Sequence, residues 1–408
     1  MTLPMQHLQR ADRVLGWPAY ILVQPLRWLR KRRAPRPAHE VRRVLLVKFW
    51  GIGSLQLLTP AVRALRARYP LARLELLTLA PNAELARGLG AFDEVLTLDV
   101  SRAGWARLGA RILRLLRALR ARRYDTVFDF EFFTRFSAVV SLASGAPTSH
   151  GFACPERPRA GLHTATVPFN RYWHVARNFR SLAGGENGRT VELAELSAFV
   201  PSARERSEAT AALFEHGLVS EGPLVALNPH AGSLSLERRW PIESFAALAR
   251  ALVLEDGARV VVIGTREEAE RSRELCARAG ALPAGRLASL AGRLSIGATA
   301  ALLRQCTAFV TNDSGPMHIA AALGVPTLGL FGPETPVMYR PLGPRARWLY
   351  APPPCSPCIN VHDNKLARCV RGWPECMTNL TPERVLAAVR EELDLARRHD
   401  GPRRIPAG

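Results

Sequence analysis

The stretch from Val310 to Pro336 constrains the fold more than any other part of the chain, because it predicts a complete strand–helix–strand unit. A short β-branched and aromatic run, 308–311, is followed at 312–314 by three residues of types that cap helices. A helix is predicted from Pro316 to Leu323 and a second apolar strand from Val325 to Leu330. Such a crossover joins parallel strands, and its helix begins at the carboxyl edge of their sheet. Free N–H groups and the helix dipole favour anions there, so the stretch predicts a phosphate-binding loop.

The rest of the chain repeats this alternation of strands and helices. An apolar strand, Val41–Phe49, enters the glycine-containing loop Trp50–Leu55 and then a helix that runs to Tyr69. Further strands are predicted at 74–79, 94–99, 125–130, 223–228 and 259–264. The pattern predicts an α/β protein with doubly wound sheets, and a length of 408 residues allows two or three domains.

The chain is strongly basic, with 56 Lys and Arg residues against 35 Asp and Glu and a net charge of +21. Such a surface attracts nucleic acid, anionic lipid or phosphorylated sugars. Nucleic acid is discounted as a partner, because the sequence contains no recognisable nucleic-acid module. No stretch reaches the roughly eighteen apolar residues of a membrane-spanning helix, so we expect a cytoplasmic protein.

Two basic segments raise the question of contact with an anionic membrane. Residues 1–39 combine apolar and interfacial side chains with a run of arginines. This composition is typical either of an interfacial lipid anchor or of a helix packed on the protein with a solvated basic linker. A helix at about 103–123 carries five arginines opposite its leucines. That face is either solvated or in contact with an anionic membrane or acceptor, and both alternatives stay open.

Three groups of residues carry a resemblance to a known family. They are Asp313-Ser-Gly-Pro-Met-His318 with Gly324-Val-Pro-Thr and Phe331–Pro336, the loop Trp50–Leu55 with Thr59-Pro60-Ala61, and Pro229–Ser233 with Arg238-Arg-Trp-Pro241. Together they resemble glycosyltransferase family nine, the bacterial heptosyltransferases, over residues 41 to about 395. The resemblance implies the GT-B architecture, in which two Rossmann-like domains face a central cleft.

The resemblance also suggests how the chain is divided into domains. A basic amphipathic segment, 1–39, precedes an N-terminal acceptor domain, 40–200, and a C-terminal nucleotide-sugar donor domain, 201–380. The donor domain carries a cysteine-rich insert at 355–376, and a last helix with a basic tail occupies 381–408.

The reaction implied by the resemblance is inverting transfer of a sugar, most typically a heptose from ADP-heptose, to a lipopolysaccharide core or related glycolipid acceptor. The partners are then the nucleotide-sugar donor, that acceptor and the anionic inner-membrane surface, with the protein peripheral on its cytoplasmic face. A second hypothesis is a non-catalytic sugar-nucleotide or glycolipid binding protein that kept the fold. A third, an NAD enzyme, is disfavoured. Gly51 and Gly53 allow close approach of a ligand to the backbone, but the third glycine of the dinucleotide fingerprint is missing.

The resemblance places the donor diphosphate in the second domain. Arg238 occupies the position of a basic residue that the family associates with the diphosphate, although lysine is usual there. Asp313 is expected to organise its loop, while neighbouring amides and side chains stabilise the leaving charge without a divalent ion. We therefore expect no cofactor for catalysis. The expected donor-binding residues are Ser233, Arg238, Asp313, Ser314, Gly315 and His318.

The catalytic base is where the chain departs from the family. The family commonly carries an aspartate after the second glycine of the first loop, and this chain has Ser54, whose hydroxyl cannot act as a base unaided. Glu131, which follows a predicted strand and lies among aromatic residues, is the substitute candidate, and Asp129 is the runner-up. A solvated carboxylate or a partner for Arg135 would also explain Glu131.

Four of the seven cysteines crowd into one segment near the carboxyl end. Cys355, Cys358, Cys369 and Cys376 have the spacing C-x2-C-x10-C-x6-C. Clustered thiols in a cytosolic protein favour tetrahedral zinc over disulfides, although the last spacing is longer than in standard zinc ribbons. The cluster is therefore a candidate structural zinc site, with free or redox-paired thiols as the alternative.

Overall fold

The computed structural model describes residues 36–100, 104–154, 159–184, 196–232, 235–359 and 368–399, together with positions 12, 18, 21, 23 and 25. The chain divides into two compact units. The first comprises residues 1–198 and 359–366, and the second comprises residues 199–358 and 367–408. Most of the basic segment predicted at 1–39 lies outside the described residues, as does the end of the C-terminal tail.

The first unit is built on a six-stranded parallel sheet. Its strands are β1 (Arg43–Val47), β2 (Arg73–Leu79), β3 (Glu94–Leu98), β4 (Thr126–Asp129), β5 (Thr148–Ala153) and β6 (Ala165–Pro168). They lie in the order β3-β2-β1-β4-β5-β6. The helices of this unit are α1 (Ile52–Arg68), α2 (Ala83–Gly88), α3 (Gly104–Ala121), α4 (Arg135–Ala143) and α5 (Val175–Leu182).

The second unit contains another six-stranded parallel sheet. Its strands are β7 (Leu224–Asn228), β8 (Arg259–Val262), β9 (Leu287–Ser289), β10 (Ala308–Asn312), β11 (Thr327–Phe331) and β12 (Ala346–Tyr350). They lie in the order β12-β11-β10-β7-β8-β9. The helices are α6 (Ala203–Glu215), α7 (Ile242–Leu254), α8 (Ala269–Arg278), α9 (Ile296–Leu303), α10 (Gly315–Ala322), α11 (Pro336–Tyr339), α12 (Glu375–Thr378) and α13 (Pro382–His399).

Both sheets have the same strand order, which is that of a Rossmann fold. In each, the first and fourth strands are neighbours, and the chain winds outward from them in opposite directions. Val47 of β1 pairs with Asp129 of β4, and Asn228 of β7 pairs with Thr311 of β10. Ligands bind at the carboxyl ends of strands beside such a switch point. The prediction of two Rossmann-like domains of the GT-B class is confirmed.

The strands are apolar at almost every position because side chains pack on both faces of each sheet. In the second unit, Val225 and Leu227 belong to one hydrophobic cluster, while Leu224 and Ala226 belong to another. Successive side chains of a strand point to opposite faces, so the two clusters are the two covered sides of one sheet. This burial holds the strand ends, and the loops that follow them, in fixed positions.

Helix α3 confirms the predicted division into an apolar and a basic face. Leu119 is buried, and the other predicted core positions pack against the same cluster as β1. Arg107, Arg114 and Arg117 are exposed, while Arg111 is half-buried and pairs with Asp99 at 3.0 Å. Within the described part of the chain, no helix combines the length and apolar character needed to cross a membrane.

A buried carboxylate joins three segments at the amino end of the first sheet. Glu75 of β2 is fully buried and accepts hydrogen bonds from Arg43 of β1 at 2.8 Å and from Arg122 at 2.6 Å. The Tyr124 hydroxyl donates to the same carboxylate at 2.7 Å, and burial together with this bond raises the pKa of Tyr124 well above its usual range. These bonds fix the start of β4 against β1 and β2.

Replacing Glu75 with Gln is expected to lower the free energy of unfolding by about 1.5–3 kcal/mol, since hydrogen bonds to a charged acceptor are lost in a buried place. Urea titration followed by circular dichroism measures the change. The exposed Glu40 of the same unit is the control, and its change to Gln should alter stability by no more than about 0.5 kcal/mol. Equal effects of the two substitutions would contradict the assignment.

Candidate functional site

The loops after β7 and β10 meet at the switch point of the second sheet. Asn228, the last residue of β7, donates from Nδ2 to Thr311 Oγ1 at 3.2 Å and to Ser314 Oγ at 2.9 Å. The two hydroxyls lie 2.9 Å from each other. The loop that precedes α10 is therefore fixed by side chains of the strands themselves.

Ser314 occupies the N-cap position of α10 without capping it, because its hydroxyl bonds to Asn228 and Thr311. The serines at the N-caps of α6 and α9, Ser202 and Ser295, do accept a backbone N–H of their helices. Gly315 begins α10, and Pro316 in the first turn has no N–H to satisfy. The start of α10 thus keeps the amides that bind anions at helix N-termini.

Arg238 binds protein groups of two loops in this structure. Its Nη1 donates to the carbonyl oxygen and to Oδ2 of Asp313, each at 3.0 Å, and its Nη2 donates to the carbonyl oxygen of Ala231. The side chain is almost completely buried. The buried Nε of Arg238 has no hydrogen-bond partner among the described residues, and its diphosphate contact stays a prediction. Asp313 is held in the loop by the bonds of Nη1.

The other predicted donor residues are placed as follows. His318 lies in α10 and is buried, with 4% of its surface exposed. Ser314 and Gly315 are half-buried at the helix start. Ser233 lies outside the described residues. The structure therefore brings Arg238, Asp313 and the start of α10 together.

Besides Asn228, two further residues that sequence reasoning missed lie at this edge of the sheet. Asn312, the last residue of β10, accepts from the backbone N–H of Trp240 at 3.0 Å, and its buried Nδ2 has no hydrogen-bond partner among the described residues. His230, which follows β7, lies 2.8 Å from Ser272 Oγ through its Nε2. Burial lowers the pKa of His230 to about 3, so this ring is neutral at pH 7. A polar residue at the carboxyl end of a parallel strand is the signal that could have identified Asn228 and Asn312.

In the first unit, Glu131 holds the loop after β1. Its Oε1 accepts from Lys48 Nζ at 2.8 Å and from the backbone amides of Phe49 at 2.7 Å and Trp50 at 2.8 Å. Lys48 and Glu131 are 1% and 0% exposed. The carboxylate is therefore not solvated, and its cationic partner Lys48, a residue that sequence reasoning missed, lies at the end of a buried strand. Its action as a base stays a prediction.

The loop held by Glu131 turns sharply into α1. Gly51 has φ of 83° and precedes the helix, and a Cβ at this position would lie 2.9 Å from Ser54 Oγ. An L side chain would thus be strained by the backbone and would crowd Ser54. Gly53 is buried and Ser54 is half-buried in the first turn of α1. Gly51 and Gly53 of the first loop therefore lie beside Ser54, the residue at which the chain departs from the family pattern.

Asp129, the runner-up for the base, is also fully buried. Burial raises the pKa of its carboxyl, but Arg159 and His163 outweigh that effect and hold the pKa below its ordinary value. Arg159 donates to Asp129 and to the carbonyl oxygen of Glu131, and Ser137 Oγ donates to Asp129 at 2.9 Å. An ionised carboxylate paired in this way is a weak proton acceptor.

The four clustered cysteines line one cavity in the second unit. All four thiols are free, and within the described residues no group of three His, Cys, Asp or Glu side chains is close enough to hold a metal ion. Burial raises the pKa of Cys376 to about 12, and the neighbouring Cys358 and Cys369 add to the effect. Metal binding would require the thiols to lose protons and to draw together, so the structural zinc site stays a prediction.

Three comparisons with known proteins extend over most of the chain. The model of glycosyltransferase family 9 (heptosyltransferase) matches residues 112–367. Lipopolysaccharide heptosyltransferase 2 of Escherichia coli is 26% identical over 347 residues, which cover 84% of this chain and 96% of that protein. The structure of E. coli ADP-heptose lps heptosyltransferase II is 25% identical, with a TM-score of 0.68 over 87% of this chain and 99% of that one. The structure of E. coli heptosyltransferase WaaC with ADP-2-deoxy-2-fluoro heptose is 21% identical and similar in fold, with a TM-score of 0.61 over 86% of this chain and 99% of that one.

Metal analysis of protein purified under reducing conditions tests the zinc prediction. We expect about one zinc ion per chain, because four thiolates supply a tetrahedral set. Changing Cys358 to Ser should abolish binding, whereas changing Cys276, which lies outside the cluster, should not. A metal-free protein that is as stable as the protein supplied with zinc would contradict the prediction.

Proposed function

Because the chain belongs to glycosyltransferase family 9, we propose that it transfers a heptose from ADP-heptose to a lipopolysaccharide core or related glycolipid acceptor. The relatives named above are heptosyltransferases that cover most of the chain, which supports this choice of donor and acceptor. The observation that carries the proposal is the uncapped start of α10 at the switch point of the second sheet. The amides of its first turn, which the Ser314 side chain does not cap, provide the place for a leaving diphosphate.

The chemistry requires stabilisation of negative charge on the donor. As the bond between the anomeric carbon and the phosphate oxygen breaks, the diphosphate takes the electron pair and gains charge. Amides at the start of α10 and the dipole of that helix favour the transition state over the ground state, because the charge is greater there. Asn228 and Arg238 keep the loop in place and so avoid reorganisation during the reaction. Under this proposal, these groups stabilise the charge of the leaving diphosphate without a divalent ion.

The acceptor half of the reaction belongs to the first unit under this proposal. Inversion requires an acceptor hydroxyl to attack the anomeric carbon and to pass its proton to a base, for which Glu131 is the candidate. The loop from Trp50 to Ser54 lies at the carboxyl end of β1, and Glu131 fixes its backbone. Ser54 can position a hydroxyl by hydrogen bonding but cannot accept its proton unaided.

The acceptor is a glycolipid, so the enzyme works at the cytoplasmic face of the inner membrane. The exposed arginines of α3, Arg107, Arg114 and Arg117, support attraction to anionic headgroups. Leu113 on the same helix is 47% exposed and adds apolar surface beside them.

A panel of ADP-, GDP- and UDP-sugars, measured by thermal shift and then by turnover, tests this proposal. We expect ADP-heptose to stabilise the protein, by about 2.7 kcal/mol at a hundredfold excess over Kd. Transfer to lipopolysaccharide core should continue in EDTA with the fold preserved. Donor binding with neither transfer nor slow hydrolysis would instead favour a non-catalytic binding protein.

Replacing Glu131 with Gln distinguishes two roles for this residue, a catalytic base or a carboxylate that only positions the loop after β1. The substitution leaves the Lys48 ammonium buried without its counter-charge, so we expect a loss of about 3–5 kcal/mol in unfolding free energy. Adding Lys48→Met should restore much of that stability. Because Glu131 is the candidate base, we expect kcat of the stable double variant to stay lower by about 10²–10⁴-fold. A kcat that recovers together with stability would show that the carboxylate only holds backbone amides.

A further inference from the structure

One acidic residue of the N-terminal segment binds a helix of the first unit. Residues 1–39 contain eight lysine and arginine residues but a single acid, Asp12. Its Oδ1 accepts the backbone N–H of Arg135 at 3.0 Å and that of Phe136 at 2.8 Å, and its Oδ2 accepts that of Arg135 at 3.1 Å. Arg135 and Phe136 are the first two residues of α4. The carboxylate therefore satisfies two of the amides that a helix leaves without a partner at its start.

Asp12 takes the place of a cap that α4 does not obtain from its neighbouring sequence. The N-cap residue, Thr134, makes no capping bond, and its hydroxyl donates instead to Ser137 Oγ at 3.1 Å. A carboxylate suits this position, because the start of a helix is the positive end of its dipole. Asp12 precedes Arg135 by 123 residues, so the bond connects the N-terminal segment to the end of β4, which lies just before α4.

Two further residues of the N-terminal segment lie on the same part of the first unit. Val23 packs against the apolar cluster that α4 forms with Leu162. Arg36 forms an ion pair with Asp125, the residue directly before β4. An acid, an apolar side chain and a base of the segment thus contact β4 and α4 or the residues beside them.

The first turn of α4 packs against the loop that Glu131 holds. The ring centroids of Phe136 and Phe49 are 5.5 Å apart, and the backbone N–H of Phe49 donates to Glu131 Oε1 at 2.7 Å. Ser137 Oγ donates to Oδ2 of Asp129 at 2.9 Å, and Oδ1 of Asp129 accepts the backbone N–H of Glu131 at 3.0 Å. The start of α4 is therefore connected to Glu131 in two ways, through a ring contact and through hydrogen bonds.

We propose that Asp12 is a positioning residue, whose carboxylate fixes the first turn of α4 and, through that turn, the placement of Glu131. The inference rests on the function proposed above, in which Glu131 is the candidate base for the acceptor hydroxyl. It gives the N-terminal segment a part in the acceptor half of the reaction that is separate from contact with lipid. A catalytic group must be held close to its productive geometry, so a cap that keeps the adjoining helix in place contributes to kcat.

Steady-state kinetics of the full chain with ADP-heptose and a deacylated, water-soluble lipopolysaccharide core test this role, because such an acceptor needs no membrane. The variants are Asp12→Ala, Asp12→Asn and the matched control Ser295→Ala, which removes the N-cap bond of α9 at 3.0 Å. Loss of a helix cap should lower Tm of Asp12→Ala and of Ser295→Ala by a similar amount, about 2–4 °C. We expect kcat to fall by about tenfold in Asp12→Ala alone. The KM for ADP-heptose should stay unchanged, because the donor loops belong to the second unit.

Asp12→Asn provides the conservative replacement. Burial raises the pKa of the Asp12 carboxyl, and the asparagine amide keeps one acceptor oxygen without a buried charge. This variant should therefore retain most of kcat.

Hydrogen exchange gives a second measurement that needs no turnover. The amides of Phe49 and Trp50, which bond to Glu131, should exchange faster in Asp12→Ala than in the unaltered protein or in Ser295→Ala.

Four results would count against this role of Asp12. Equal kcat values in Asp12→Ala and Ser295→Ala would show that Asp12 only caps a helix. A kcat in Asp12→Asn as low as in Asp12→Ala would overturn the assignment, because the acceptor oxygen is still present. So would unchanged exchange of the two amides. A loss of kcat with the intact glycolipid in vesicles of anionic phospholipid, but not with the soluble core, would assign Asp12 to membrane binding instead.

Failure of the proposed function has a different signature. If the unaltered protein transfers heptose to neither acceptor, that function is refuted. The exchange of the Phe49 and Trp50 amides then still decides whether Asp12 positions the loop that Glu131 holds.

Discussion

The ion pair between Arg238 and Asp313 holds together the two loops on which the candidate donor site depends. At the switch point the chain leaves β7 and β10 in opposite directions, so their loops diverge and leave room for a ligand. Beyond the end of β10, the backbone N–H of Asp313 still donates to the carbonyl oxygen of Leu330 at 3.2 Å. The guanidinium of Arg238 connects this loop to the loop after β7, because it also bonds the carbonyl oxygen of Ala231. Asn228 adds a second connection through Ser314.

The first unit uses the same physical device at the corresponding position of its own sheet. There the pair is Lys48 and Glu131, and the loop that it fixes follows β1. Pairs buried to this extent add little net stability, since the cost of removing both charges from water offsets their attraction. Their value lies in geometry, because a ligand-binding backbone must be held near its productive conformation before the ligand arrives.

The elements that pack against apolar surface on one or both sides were predictable from the sequence. Helix α10, predicted at Pro316–Leu323, spans Gly315–Ala322, and the last helix, predicted within 381–408, spans Pro382–His399. Strands β5, β6, β9 and β12 were not predicted. β9 has only three residues, and β12 is half-exposed at the edge of its sheet, so neither carries a strong apolar pattern.

The side-chain pairing at the sites could not be inferred from the sequence either. Lys48 and Glu131 are 83 residues apart in the sequence. The family resemblance indicates a ligand for Arg238 but does not indicate its bond to Asp313.

Under the proposed function, the unused cap of α10 would couple the lifetime of the protein to its supply of substrate. The side chains of Ser202 and Ser295 accept a backbone N–H at the start of their own helices. The Ser314 hydroxyl instead bonds to strand residues, and the start of α10 has no side-chain cap. A missing N-cap costs a helix about 1 kcal/mol. Under the proposed function, a donor phosphate bound there would take the place of the cap and stabilise the folded protein. Cells that lack the nucleotide sugar would then hold a larger unfolded fraction of this enzyme and degrade it sooner.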